Sequence, residues 1–210
     1  FLNKIWNANN FLKMNKCDFK KSQKPKKINI NINKWVLSEL NETFKKVEKN
    51  IKDYRFDEAA RNAYQFVWHS YCDWYLELSK TILFSKDLKS IKEVKLVSVY
   101  VFKQILILLH PFIPFITEEV WLTNKFAGQK KEFLMHANWI TEMPKKDKSI
   151  NDVIKMINLI TQLRSLKNEL NVSPGSFVDI SLNNIKSKDK IFFKKNELVL
   201  KKLARINNFF

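Results

Sequence analysis

The sequence predicts a mainly α-helical fold, a bundle followed by a small α/β unit that is truncated or completed by unrecognised strands. Three observations lead there. Apolar residues recur at three- and four-residue steps through most of the chain. The connections between the periodic stretches are short, which makes antiparallel neighbours and an up-and-down bundle. Only one run, Phe177, Val178, Ile180 and Leu182, has a clear strand pattern.

The first helix is expected from Phe1 to about Asn15, with Ile5, Trp6, Phe11 and Leu12 available to a core. A Lys-rich loop with Pro25 follows. The second helix starts near Ile32, because Trp35, Val36, Leu40, Phe44, Val47 and Ile51 fall on one face. Asp57 is placed to cap the third, whose wide apolar stripe runs from Ala59 and Ala63 through Phe66, Tyr71 and Tyr75 to Ile82. The alanines let a neighbouring helix approach closely. A fourth helix spans about Asp87 to His110, and Pro111 with Pro114 ends it and starts a shorter one through Trp121. Leu134 to Trp139 reads as a short extended segment, and Met143 to Lys148 as a polar linker. These elements make up a first domain, residues 1–148.

The second domain, residues 149–210, opens on Ser149 and Asp152, spaced like a capping box. The helix behind it carries Val153, Ile157, Ile160, Leu163 and Leu170 and should stop near Asn171. Pro174 and Gly175 give a turn, the strand-like run follows, and a last helix spans about Asp189 to Ile206. One strand alone is unstable, so this unit needs more strands or is cut short at Phe210. The chain begins at Phe1, inside an amphipathic helix, and is therefore read as a piece of a longer protein.

Of 210 residues, 45% are apolar, enough to fill a core. Lys and Arg number 38 against 21 acids, a net charge of +17 that points to a polyanion, RNA before DNA or lipid. Only four of the 38 are Arg, and Asn, Ile and Phe abound, as in AT-rich coding sequences. Distribution is therefore more informative than the total: residues 1–30 hold eight Lys against one Asp, and Lys186 to Lys202 seven Lys against two acids.

Several functions are excluded or disfavoured. Two glycines, Gly128 and Gly175, provide no phosphate cradle or dinucleotide fingerprint. Cys17 and Cys72 lack zinc spacing and suggest a reducing, cytoplasmic compartment. The apolar run Ile105 to Ile116 is too short and broken to span a bilayer. His69, His110 and His136 lie far apart and are read as structural, the first two in apolar helical surroundings. No catalytic group, metal site or cofactor is expected in this chain.

Four segments carry a family resemblance: NKIWNANNFL (Asn3 to Leu12), YRFDEAARNAYQFVWHSYCDWYLELSK (Tyr54 to Lys80), HPFIPFITEEVW (His110 to Trp121) and LRSLKNELNVSPG (Leu163 to Gly175). Together, in this order, they resemble the anticodon-binding region and the start of the C-terminal appendage of valyl-tRNA synthetases, which are class I aminoacyl-tRNA synthetases. The Phe-Val-Trp and Cys-Asp-Trp-Tyr-Leu-Glu wording is the most specific part. Isoleucyl and leucyl relatives share the architecture without it.

The resemblance implies a non-catalytic part of a valine-tRNA ligase, whose remainder would use ATP with Mg to join valine to tRNA(Val) and would edit wrong products. Its partners would be tRNA(Val) and the catalytic and editing domains of the same polypeptide, in a cytoplasmic monomer. The anticodon loop would dock on the first helix and the start of the second. Unstacked bases are read by amides on their edges and flat groups on their faces, chemistries that Asn7, Asn10, Phe11 and Trp35 possess. Lys4 and Lys13 would neutralise phosphates. Where this chain has Asn10, relatives typically carry Arg, so a charge-assisted contact is missing.

Arg164 and Lys167 lie on a charged face that could touch tRNA or the catalytic body. Phe66, Trp68, Trp74 and Tyr75 are read as core and Cys72 as a buried thiol, while Glu118 and Glu119 are placed in a helix's first turn and Asp73 is expected to pair with a cation across the bundle. The competing readings are the anticodon-binding domain of another class I synthetase (isoleucyl or leucyl), a nonspecific basic RNA-binding module and a helical scaffold with idle lysines.

Overall fold

The computed structural model describes residues 1–126, 132–139, 150–181 and 187–209. They fall into two compact units, Phe1–Asp147 and Lys148–Phe210. The expected linker Met143 to Lys148, together with Gly128, Ser149, Leu182 and Phe210, lies outside the described residues.

Helix α1 (Leu2–Met14) is followed by a single 3-10 turn, Phe19–Lys21, and then by α2 (Asn31–Lys52). The third helix is continuous in three parts: α3 (Phe56–Gln65), a π-helical segment (Phe66–Tyr75) and α4 (Leu76–Leu83). It is capped at Arg55 with no side-chain bond, so Asp57 is not the cap; Asp57 and Glu58 sit in the first turn, where their charge complements free N–H groups. Helix α5 (Leu88–Leu109) is capped by Asp87, whose carboxylate accepts from the backbone N–H groups of Lys89 and Ser90. Pro114 starts α6 (Pro114–Asn124), where its missing N–H costs nothing.

Glu118 and Glu119 therefore lie past the first turn of α6, contrary to expectation. Glu118 instead accepts from Leu134 N–H at 3.1 Å through both oxygens and pins the segment after α6. That segment begins with a 3-10 turn, Leu134–His136, where a short extended segment was expected. Its neighbour Trp139 stacks edge-on against Phe44 of α2, with ring centres 5.0 Å apart.

Helix α5 lies centrally, with Val94, Val97, Val101, Phe102, Ile105 and Leu108 all at most 1% exposed, against α2, the third helix, α1 and α6. Such a helix is apolar nearly all round because neighbours surround it. Several polar groups inside are paired. The Tyr75 hydroxyl lies 2.8 Å from Asn33 Oδ1 and 3.2 Å from Ser98 Oγ, and Tyr71 donates to the Ser98 carbonyl at 3.0 Å. Asn33 in turn donates to Glu93, which also accepts from the backbone N–H groups of Asn29 and Ile30. Glu93 of α5 thus does for the start of α2 what its own Ile30 cannot.

Glycine being scarce, helix ends use other residues. Lys16, Tyr54, Lys125, Asn171 and Arg205 take the left-handed conformation, with φ between 53° and 57°.

In the second unit, α7 (Ile150–Glu169) packs on α8 (Ser187–Ala204) through Ile150, Val153, Met156, Ile160, Phe192 and Leu200. Strand β1 (Val178–Ile180) pairs in parallel with β2 (Ile206–Phe209), Val178 opposite Ile206 and Ile180 opposite Phe209, with an irregularity between. The crossover through α8 is what a parallel pair requires. Strand β2, which the sequence pattern does not announce, is the partner that β1 needed; its first residue was assigned to the end of the last helix.

Candidate nucleic-acid interface

Helix α1 buries Ile5, Ala8, Asn9 and Leu12, which turns the opposite side outward. Asn7 is exposed and Asn10 half-buried, three residues apart and so neighbours on the helix surface. Lys13, also exposed, sits in the last turn, where a cation complements the carbonyl end. Phe11 is half-buried, with Lys80 Nζ of α4 5.8 Å from its ring centre. The outer side of α1 thus offers two amides, each able to donate and accept, beside an aromatic ring and two cations. Those are the groups that read base edges and faces.

Lys4 is engaged. Its Nζ lies 2.7 Å from Asp73 Oδ1 and 4.6 Å from the centre of the Trp68 ring. Asp73 meets a cation from another helix, as the sequence led one to expect. The π segment brings this about: residues five apart are about 140° apart around an α-helix, whereas i→i+5 bonding draws Trp68 and Asp73 toward one side. Trp68 is half-buried, not core, and stacks on exposed Tyr64 with ring centres 5.6 Å apart. Phe66 and Tyr75 are core, at 3% and 0% exposure, and Trp74 is half-buried.

Two expected contact residues need correction. Trp35 is 4% exposed inside α2's buried face, so its ring faces are covered by protein and give no platform for a base. Lys167 is 7% exposed, its ammonium donating to the carbonyls of Ser176 at 2.6 Å and Ala204 at 3.4 Å. It ties α7 to the turn before β1 and the end of α8. Arg164 is exposed, and its guanidinium donates to the Leu203 carbonyl at 2.9 Å.

Sequence reasoning missed Asn9 and Lys80. Asn9 is fully buried and accepts from Asn124 Nδ2 at 2.7 Å, locking α1 to α6, while Asn9 Nδ2 and Asn124 Oδ1 find no protein partner. Four asparagines among residues 3–10 made the buried one hard to single out; its position between Ile5 and Leu12 on the apolar stripe was the available signal.

His69 is exposed rather than in apolar surroundings, 3.5 Å from Asp73. His110 is half-buried and hydrogen-bonded to Thr117 at 2.9 Å. Burial pushes the Cys17 thiol up to about 11, opposed by nearby Lys95, and the Cys72 thiol up to about 12, opposed by Lys4. Both are free and unreactive as thiolates near neutrality. Among the described residues, no helix is long and apolar enough to cross a membrane.

A helical bundle whose first helix turns amides, an aromatic ring and lysines outward has the make-up of a single-stranded RNA reader. Residues 33–182 match the family described as the anticodon-binding domain of tRNA ligase, and the chain belongs to that family. Its relatives include valine-tRNA ligases. The chain is 64% identical to that of Pelagibacter ubique (strain HTCC1062) over 210 residues, covering 100% of itself and 24% of the relative. It is 35% identical to that of Rhizobium meliloti (strain 1021), covering 99% and 22%, and 36% identical to that of Lactiplantibacillus plantarum (strain ATCC BAA-793 / NCIMB 8826 / WCFS1), covering 97% and 23%. The chain thus spans about a quarter of the length of these relatives. The resemblance drawn from the four sequence segments is borne out.

Proposed function

We propose that this chain is the tRNA anticodon-recognition part of a valine-tRNA ligase. The whole protein would use ATP with Mg to attach valine to tRNA(Val), its catalytic and editing domains lying elsewhere in the polypeptide, as a cytoplasmic monomer. The observation that carries this reading is the outer side of α1, where Asn7 and Asn10 stand beside Phe11, Lys80 and Lys13.

Valine anticodons share their second and third bases, so reading those two selects the cognate tRNA. Each well-made base contact contributes about 1–3 kcal/mol. Phosphate contacts add affinity without discrimination and weaken as salt rises. Trp35 and Lys167 take no part.

The test is direct. The chain should bind a valine tRNA transcript more tightly than one altered at the second and third anticodon positions, and should show no valine-dependent ATP–pyrophosphate exchange. Equal affinity for both transcripts would identify a nonspecific RNA-binding module. Absence of binding at low salt would leave a scaffold.

A further inference from the structure

Just past the end of α1, a groove of about 290 Å³ runs between the following loop and the first turns of α5. Its rim holds Lys16 and Lys21 from the loop and Lys92 and Lys95 from α5, against one acid, Asp18. Asp18 is committed: its carboxylate lies 3.1 Å from Lys21 Nζ and caps the 3-10 turn by accepting from Lys20 N–H. Among the described residues, no carboxylate lies within ion-pair distance of Lys16, Lys92 or Lys95, and the acid of α5 closest in sequence, Glu93, is spent on the start of α2. The apolar lining is Ile91 and Leu96, both half-buried, and Leu88, 79% exposed.

Uncompensated charge of one sign around a concave apolar lining suits a flexible polyanion whose sugar and base faces lie on that lining while its phosphates meet the rim. Position selects among polyanions. Lys16 of the rim lies three residues beyond Lys13 and just past the end of α1, so the groove adjoins the helix assigned to the bases. We propose that this groove is a second RNA-binding site, which grips the ribose-phosphate backbone flanking the anticodon triplet through Lys16, Lys92 and Lys95. The proposal rests on the anticodon-reading role assigned to α1, but its signature differs: affinity for any sequence, weakening with salt.

The test measures binding of two transcripts, valine tRNA and its anticodon-altered version, across a salt series for the chain, for the K92Q/K95Q variant and for K46Q/K49Q, a control on exposed positions of α2. The groove variant should flatten the log affinity against log salt plot by about 1.4, that is about 0.7 for each single-strand phosphate no longer neutralised. It should do so equally for both transcripts, leaving their affinity ratio unchanged. The control should change the slope by much less. Equal slopes for the groove variant and the control overturn the proposal, as does a change confined to the ratio.

If neither transcript is preferred while the slope still falls, the groove stands and the reading of α1 fails. A second measurement needs no variant: bound tRNA should protect Lys16, Lys92 and Lys95 from amine acetylation, read by mass spectrometry. Labelling unaffected by RNA, or protection only by an acidic polypeptide, overturns the proposal.

Discussion

Lys4 of the first helix and Asp73 of the third meet at 2.7 Å, beneath which the Trp68 ring lies 4.6 Å from the same ammonium. A cation bound on two sides is a tie between helices before it is a phosphate ligand. Lys4→Ala should therefore cost about 1 kcal/mol of stability, combining a partly exposed ion pair with a cation–π contact. The slope of tRNA affinity against salt should stay within error of the unmodified chain. Urea denaturation and a salt series check the two parts, and a slope change as large as one phosphate's share would return Lys4 to the interface.

Asn7 and Asn10 should act the other way. Each Asn→Ala change should reduce the preference for the valine anticodon by about 1–3 kcal/mol, with little change in the urea midpoint, because Asn7 is exposed and Asn10 is outside the buried core. Asn10→Arg, the residue expected in relatives, should tighten binding through a charge-assisted contact. Filter binding with the paired transcripts reads both effects. An unchanged preference in the double Asn→Ala variant would remove α1 as the reading element.

Trp35→Ala should cost about 3–5 kcal/mol of stability, since it empties a buried site. Under conditions where the variant remains folded by circular dichroism, its anticodon preference should be intact. A folded variant without that preference would contradict the burial argument.

Alkaline pH should weaken the fold through its thiols. Cys17 and Cys72 keep their protons up to about 11 and about 12 when folded, while an unfolded thiol gives its proton up near 8.5. Between those limits the folded chain binds more protons than the unfolded one, so stability falls as pH rises. The loss should reach about 2–3 kcal/mol per thiol by pH 10.5, and a C17A/C72A variant should lack that part of it. Urea midpoints at pH 7.5, 9 and 10.5 test this; identical pH slopes for the two proteins would refute it.

Periodicity made the helices legible, because one-sided burial repeats with the helical turn; α2 follows it closely, while α5 is buried nearly all round and was legible by its long apolar run. The outer side of α1 was partly legible: Asn7 and Lys13 are exposed and Asn10 is half-buried. Trp35 was misplaced because a large aromatic beside a buried Val reads the same whether it stacks on a base or packs a core, and only its neighbours decide. Lys167 failed similarly. A lysine on a helix is ordinarily a solvated charge, and nothing nearby in sequence announces that Ser176 and Ala204 will turn their carbonyls toward it. Strand β2 went unseen since its four residues, Ile-Asn-Asn-Phe, continue directly from a helix. The groove at Lys16 joins segments about seventy residues apart in sequence, a distance that local pattern does not bridge.

The widened turns between Phe66 and Tyr75 also set the phase of the third helix. Each unit of extra circumference rotates everything downstream, so the azimuth of Leu76–Leu83 is not the one that α3 would project forward. One rod thereby packs chiefly on α2 through α3 and on α5 through α4. Regular α-helical winding of the same residues would turn Leu76–Leu83 to another azimuth and carry Lys80 away from Phe11.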